Sequence, residues 1–234
     1  MHRSITFTSN SPSHSTISAE VHESTATTAS SPCGLVVVAY GTDGLLDTTN
    51  RPWATMIRGY ADSLSQSGLT VLIPDFFAAT NTSPGIQAAE QIESKRDLWL
   101  EVISETIDYG MKLPLVDPQR VGILGFSLGG YLCLRLRSKV RYMVEYFAPV
   151  LDGIGLGSNL THCQIHHGKD DKGPATAFSN ASAIERTLQS EGTVTELFPY
   201  PGAGHGFVGN DPANTDARDK SQQRTIAFFE SHLK

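Results

Sequence analysis

Residues 120–136 constrain this chain more than any other stretch. Arg120-Val121-Gly122-Ile123-Leu124 is an apolar, β-branched run with the pattern of a buried strand. Gly125-Phe126-Ser127-Leu128-Gly129 follows, and Gly130 with Tyr131-Leu132-Cys133-Leu134-Arg135-Leu136 opens a helix. A G-x-S-x-G string alone arises often by chance. Between a strand and a helix it describes a nucleophile elbow, a sharp turn with serine at its apex. The turn forces the serine backbone into a strained conformation, which small residues at Gly125 and Gly129 make sterically possible. It also points the Leu128 N–H at the space where an oxyanion forms. Ser127 is therefore the expected nucleophile and Leu128 an expected oxyanion donor.

The 234 residues are enough for one domain with a substantial core, so a single domain over 1–234 is expected. A net charge of -6 argues against a nucleic-acid partner. No apolar run approaches the ~20 residues of a membrane span, and Met1 to Phe7 lacks the apolar core of a secretory signal. Cys33, Cys133 and Cys163 are widely spaced, odd in number and without a C-x-x-C pair. They suit buried thiols in a reducing compartment, so a cytoplasmic location is expected.

Residues 1–32 are about half Ser and Thr, the composition of a disordered tail. Ile5-Thr6-Phe7 and Ile17-Ser18-Ala19-Glu20-Val21 nevertheless alternate like edge strands around a Ser11-Pro12-Ser13 turn, which predicts an antiparallel pair. A mobile link is expected around Ser30-Ser31-Pro32. From Leu35 onward strands and helices alternate, the signature of a mostly parallel central sheet with helices on both faces. Strands are expected at 35–39, 69–73, 120–124, 142–147, 162–166 and 194–198. Helices are expected from Trp53 to Gly68, over 87–109, after Ser127, and over 177–188 and 214–232. The fold class is α/β, and the elbow makes it the α/β-hydrolase arrangement. The Arg135, Arg137, Lys139, Arg141 run is expected to be a solvated helix end.

A serine hydroxyl needs a base to take its proton and a carboxylate to orient that base. In this fold the order is Ser, Asp, His, with the last two on loops after later strands. His205 sits in Pro201-Gly202-Ala203-Gly204-His205-Gly206-Phe207 after the last strand and is the expected base. The acid lies in His167-Gly168-Lys169-Asp170-Asp171-Lys172-Gly173-Pro174. Counting forward from Gly168 selects Asp171, counting back from Pro174 selects Asp170, and Asp171 is preferred. Asp152 is a third choice. The second oxyanion donor is expected in Tyr40-Gly41-Thr42-Asp43-Gly44, at the Thr42 N–H.

No metal or cofactor is expected. His162, His166, His167, Asp170 and Asp171 match no usual zinc spacing, and a strand puts His167 on the face opposite His162 and His166. There is no G-x-x-x-x-G-K-[ST] phosphate loop.

Val71-Leu72-Ile73-Pro74-Asp75-Phe76-Phe77, the elbow, the Gly168–Asp171 loop, the His205 loop and the closing Phe228-Phe229-Glu230-Ser231-His232-Leu233 resemble the dienelactone hydrolase family over about residues 15–233. The resemblance implies an ester- or lactone-cleaving enzyme without a cofactor. The chain departs from that family where the substrate is handled. The family's nucleophile is cysteine, whereas position 127 is Ser. Its activating glutamate falls on Gly41, and its two carboxylate-binding arginines fall on Gly209 and within Ala78-Ala79-Thr80. A small anionic dienelactone lacks its usual anchors here.

Tyr40, Gly41, Phe126 and Phe207, with Phe147 and Trp53, are expected around the substrate, under a polar lid at 42–53 that includes Thr42, Asp43, Leu46, Asp47, Asn50 and Arg51. The expected function is a serine hydrolase cleaving an ester, lactone or thioester of a small, neutral organic substrate through an acyl-enzyme. Alternatives are an acyltransferase or cyclase with the same triad, and a non-catalytic ligand-binding protein. The expected partner is a small molecule, with neither nucleic acid nor membrane; the sequence leaves the oligomeric state open.

Overall fold

A computed structural model describes residues 2–24, 31–48 and 51–234 of the chain. The Ser/Thr-rich start forms β1 (His2–Thr8) and β2 (Thr16–His22), paired antiparallel with Phe7 opposite Ile17. Their alternation buries one side of β2 (Ile17, Ala19, Val21), while on the other side Thr16 and Ser18 are exposed, Glu20 is half-buried and His22 is buried. Of this pair β1 alone is an edge strand, because β2 also pairs with β6 of the core. Ser30 of the expected mobile link lies outside the described residues. At its described end the Arg120 guanidinium donates to the Pro32 carbonyl.

β3 (Cys33–Ala39) is buried throughout. The expected lid at 42–53 contains a two-strand ribbon, β4 (Asp47–Thr48) and β5 (Arg51–Pro52); its Asn50 lies outside the described residues. The Asp47 carboxylate ties the ribbon to the next helix, accepting the Thr55 N–H at 3.0 Å and its hydroxyl at 2.6 Å. α1 (Trp53–Gln66) and β6 (Thr70–Pro74) follow as expected. A short α2 (Phe76–Ala79) comes next, capped by Asp75. The helix expected over 87–109 is divided into α3 (Ile86–Glu90) and α4 (Ile92–Gly110) at Gln91. α4 is anchored by buried Trp99, whose indole N–H bonds the hydroxyls of Thr80 and Thr82. The remaining elements are β7 (Val116–Phe126), α5 (Leu128–Arg135), β8 (Tyr142–Tyr146), β9 (His162–Gly168), α6 (Ser179–Ser190), β10 (Val194–Tyr200) and α7 (Pro212–Leu233).

The eight-stranded sheet has the order β1-β2-β6-β3-β7-β8-β9-β10, parallel from β6 to β10. From β3 the chain steps to β6 on one side and then returns to β7 on the other. Right-handed crossovers therefore put α1 on one face and α4, α5 and α6 on the other. α7 packs beside α1. The order reverses between β3 and β7, so the strand ends there frame a crevice, the usual ligand position in open α/β sheets. Ala39 pairs with Gly125, which places Gly41 opposite Ser127 two residues later. Among the described residues no helix is long and apolar enough to cross a membrane.

The basic run after α5 is not a solvated end. Arg137 is fully buried. Its guanidinium grips Glu191 through two bonds of 2.9 and 2.6 Å and donates to the carbonyls of Leu134 (2.8 Å), Gly155 (2.9 Å) and Ile154. It pins the Gly-rich 153–157 segment to the end of α5, a role that i, i+2 alternation of charge does not reveal. Arg137→Met keeps the stem but takes the donor from three carbonyls, while Glu191 is left in contact with water. It is expected to cost about 2–3 kcal/mol in urea unfolding; a loss below about 1 kcal/mol, the scale of a surface pair, would show that the contact does not stabilise the fold.

Candidate active site

Ser127 sits between β7 and α5 at φ 53°, ψ -116°. Crowding dictates the neighbouring glycines. A Cβ on Gly129 would lie 2.0 Å from the Ala39 carbonyl oxygen, and one on Gly125 would lie 2.5 Å from that of Gly129. The turn is fastened by the Ser127 N–H donating to the Tyr146 carbonyl at 2.9 Å, which continues the β7–β8 ladder.

His205 lies 78 residues on, in a one-turn 3-10 segment (His205–Phe207) after β10. Gly206 has φ +72°, and a Cβ there would overlap the Trp53 ring at 1.9 Å. α7 supports the loop: Asn214 Oδ1 accepts the Gly204 N–H, and Arg218 donates to the Phe207 and Gly209 carbonyls. The Asp171 loop is zipped to the same segment, with the Lys169 and Asp170 N–H groups donating to the Tyr200 and Ala203 carbonyls. These contacts bring three groups into line. His205 Nε2 is 3.1 Å from Ser127 Oγ, and His205 Nδ1 is 2.7 Å from Asp171 Oδ2. A carboxylate accepts only, so Nδ1 carries the ring proton and Nε2 presents a lone pair to the hydroxyl.

Of the two adjacent aspartates, Asp171 is buried against the histidine and Asp170 is exposed to solvent. Asp171 Oδ1 also accepts the Gly173 N–H at 3.1 Å and the Thr176 hydroxyl at 2.9 Å. Asp152 instead pairs with Arg96 and Arg135 and accepts the Tyr131 hydroxyl.

A cavity of about 360 Å³ opens over Ser127 and His205. Gly41, Trp53, Ile57, Phe126, Phe147 and Val208 give it mainly apolar walls, while Thr42, Asp43 and Arg51 lie towards the β4–β5 side. Asp43 and Arg51 face each other at 3.6 Å. Tyr40 and Phe207 do not line this cavity. Tyr40 is buried beneath it, stacked on Phe76, and its hydroxyl donates to Asp75 and accepts the Phe77 N–H. Phe207 packs on Phe147 and faces a second cavity behind Trp53. Both are aromatic residues near the site whose side chains the backbone turns away. Ile57 and Val208 carried no sequence signal beyond their apolar character.

The two N–H groups expected at the oxyanion position belong to Leu128, which follows Ser127, and to Thr42, which lines the same cavity as the serine. Leu128 is the first residue of α5, where N–H groups have no partner within the helix. The Gly41 carbonyl accepts the Gly44 N–H at 3.0 Å. The Thr42 N–H of that same planar peptide therefore points the opposite way. The five histidine and aspartate residues weighed for metal do not gather. His166 bonds Tyr200, His162 stacks near Tyr142 and His232, and only His167 meets Asp171. His2, His22 and Asp62 do cluster, within 4.8 Å, but they sit on β1, β2 and α1 and none lines the cavity.

The family model described as the dienelactone hydrolase family matches residues 27–233. Carboxymethylenebutenolidase of Rhodococcus opacus is 30% identical over 198 residues, which cover 75% of this chain and 75% of that protein. A dienelactone hydrolase-like promiscuous phosphotriesterase from metagenomic libraries superposes with a TM-score of 0.78 at 19% identity, over 100% of this chain and 99% of that one. Dienelactone hydrolase of Anabaena variabilis superposes at 0.68 with 17% identity, over 100% and 99%. Gly41, which stands where the family resemblance implies a glutamate, lies directly against Ser127: a Cβ added to it would be 3.3 Å from the serine Cβ.

Two buried carboxyls near the site have opposite electrostatics. Burial works against the Asp171 charge, but hydrogen bonds from His167 and His205 outweigh it and hold its carboxyl well below the usual range. Glu145 of β8 is fully buried, with one oxygen accepting the Ala148 N–H at 3.0 Å and the other unpartnered. Burial pushes its carboxyl from 4.5 up to about 7, against the charge of His167 and the Ala148 hydrogen bond. The folded-state value lies above the unfolded one, so native stability is fully retained below 4.5 and falls as pH rises through about 7. Glu145→Gln, an uncharged isostere, is expected to gain about 2 kcal/mol on the native chain at pH 8, a gain that closes by pH 5. Equal gaps at the two pH values in denaturant melts would contradict a buried, titrating Glu145.

Proposed function

The chain belongs to the dienelactone hydrolase family, and within it we propose a serine hydrolase that cleaves an ester, lactone or thioester of a small, neutral organic substrate through an acyl-enzyme. The observation that carries this reading is the Ser127–His205–Asp171 chain of hydrogen bonds at 3.1 and 2.7 Å, opening on an apolar cavity. Ser127 Oγ attacks the carbonyl carbon while His205 Nε2 takes its proton. The proton then passes to the leaving alcohol, and the C–O bond breaks. Asp171 holds the Nδ1–H tautomer and stabilises the imidazolium. The Thr42 and Leu128 N–H groups donate to the tetrahedral oxyanion, an interaction commonly worth 10²–10³ in rate per donor. A water activated by His205 then attacks the acyl carbon and frees Ser127.

The neutral substrate class is supported by the walls. Around the serine they are apolar and aromatic, and the two charged side chains lining the cavity face each other. Among the described residues that line the cavity, Arg51 is the one Lys or Arg, and it faces Asp43, so no unpaired cation there replaces the arginines that the family resemblance implies. The reading needs no cofactor, and three free, buried cysteines suit action in the reducing cytoplasm.

With p-nitrophenyl butyrate, Ser127→Ala, His205→Ala and Asp171→Asn are each expected to lose roughly 10⁴-fold or more in kcat. Asp170→Asn is expected to retain native activity. Ser127→Ala with native turnover would refute the mechanism. The neutral ester is also expected to exceed an anionic hemisuccinate ester by about tenfold or more in kcat/KM; a preference for the anion would reverse the substrate class.

A further inference from the structure

Trp53 stands between two cavities. It lines the cavity of about 360 Å³ over Ser127 and also a second one of about 540 Å³. Among the described residues Val208 alone shares that position. The indole is held in place from several sides. Trp53 is the first residue of α1, whose start is tied to the β4–β5 ribbon by the Asp47 bonds to Thr55. Its six-membered ring lies on Gly206, where any side chain would overlap it, and it leans on the Phe147 ring at 6.4 Å between centroids. Opening this wall would more than double the space that reaches Ser127.

The chemistry gives the second cavity a direction. The leaving oxygen of an ester must come within reach of His205 Nε2 to take its proton, so the alcohol part lies over His205. The residues that follow His205, from Gly206 to Asn210, form one side of the second cavity. Pro52 and Met56 face them from the start of α1, and Arg218 of α7 completes the lining. The Arg218 guanidinium is engaged with neutral acceptors, the Phe207 and Gly209 carbonyls and the Thr215 hydroxyl. The space behind Trp53 therefore continues the path that a long, uncharged alcohol chain would follow away from the base.

We propose that Trp53 sets the length of the alcohol that this protein releases. Its ring ends the leaving-group path within the first cavity and keeps the second out of reach of an ester bound at Ser127. The substrates that fit are esters of short alcohols and compact lactones, whose leaving oxygen stays folded back on the acyl part. The inference rests on the hydrolase reading for what the wall excludes; the wall itself stands on the packing of Trp53 and Val208. A cavity of about 360 Å³ lies near the small end of ligand pockets, which span roughly 300–1,000 Å³. Burial of each further methylene is worth roughly fourfold in affinity, so the wall carries a measurable selectivity.

The test compares kcat/KM for ethyl, butyl and octyl butyrate, which vary the alcohol, and for p-nitrophenyl butyrate and octanoate, which vary the acyl group. The native protein is expected to lose about tenfold or more from butyl to octyl butyrate. Trp53→Ala is expected to raise the octyl-to-butyl ratio by about tenfold or more, and the octanoate-to-butyrate ratio by less than about twofold. Met56→Trp added to Trp53→Ala refills the second cavity and is expected to remove the octyl gain. Val208→Ala thins the same wall from the His205 loop and decides the matter where Trp53→Ala does not fold. Calorimetric titration with 1-octanol needs no catalysis, and Trp53→Ala is expected to bind it about tenfold more tightly than the native protein does. An unchanged octyl-to-butyl ratio in the folded variants of a protein that cleaves butyl butyrate overturns the proposal, as does an equal gain for the long acyl chain. Tighter octanol binding by Trp53→Ala in a protein that cleaves none of the esters would keep the wall and refute the hydrolase reading instead; no gain in octanol binding overturns the wall in either case.

Discussion

The close approach of Gly129 to the Ala39 carbonyl is the contact on which the site depends. No side chain fits there, because even a Cβ would stand 2.0 Å from the oxygen. That contact lets α5 start hard against the ends of β3 and β7, and the chain makes the passage only by turning Ser127 to φ 53°. A non-glycine residue at positive φ costs about 1 kcal/mol or more. The ladder bond from Ser127 to Tyr146 and the buried helix that follows offset it. Strain at one residue thus stands in the middle of the most buried part of the sheet, where surrounding packing over-determines it.

Everything else in the site follows from the ends of parallel strands. β9 and β10 deliver Asp171 and His205 from adjacent loops, and their cross-loop backbone bonds fix the separation of carboxylate and ring. α7 adds Asn214 and Arg218 beneath the His205 loop, and Trp53 of α1 lies against Gly206. His205 is therefore held by elements distant in sequence. The interior behind it is unusually polar for a core: Glu145, His166 and His167 are all fully buried on β8 and β9. Such groups are costly to bury unless paired.

Much of this was legible in the residues. The elbow announced itself because its glycines, its serine and the flanking change of period all describe one conformation. The strands of the parallel core were visible as unbroken β-branched runs, since burial on both faces leaves no room for polar alternation. The two-strand start was readable through its Ser/Thr content because Ile5, Phe7, Ile17 and Val21 kept a period of two. Long-range pairings were not readable. Nothing local distinguishes Arg137, clamped to Glu191, from Arg135 or Arg141. Tyr40 and Phe207 look like pocket residues because they neighbour the site in sequence, yet their backbones direct the rings into the core. Counting from Gly168 favoured Asp171 over Asp170, and the loop turns Asp171 inward and leaves Asp170 in solvent.

Within the family, the serine at position 127 and the glycine at position 41 belong together. A thiol relies on a nearby group to become a thiolate, whereas a serine hydroxyl loses its proton to the histidine during attack. The space against Ser127 is correspondingly filled by backbone and not by a carboxylate. In the proposed mechanism this serine, and no other nucleophile of the chain, is activated by His205. Reaction with a fluorophosphonate followed by intact-mass measurement and peptide mapping tests it most directly. A single adduct on Ser127, which does not form in His205→Ala, is expected; an adduct on another residue, or none on the folded native protein, would contradict the mechanism.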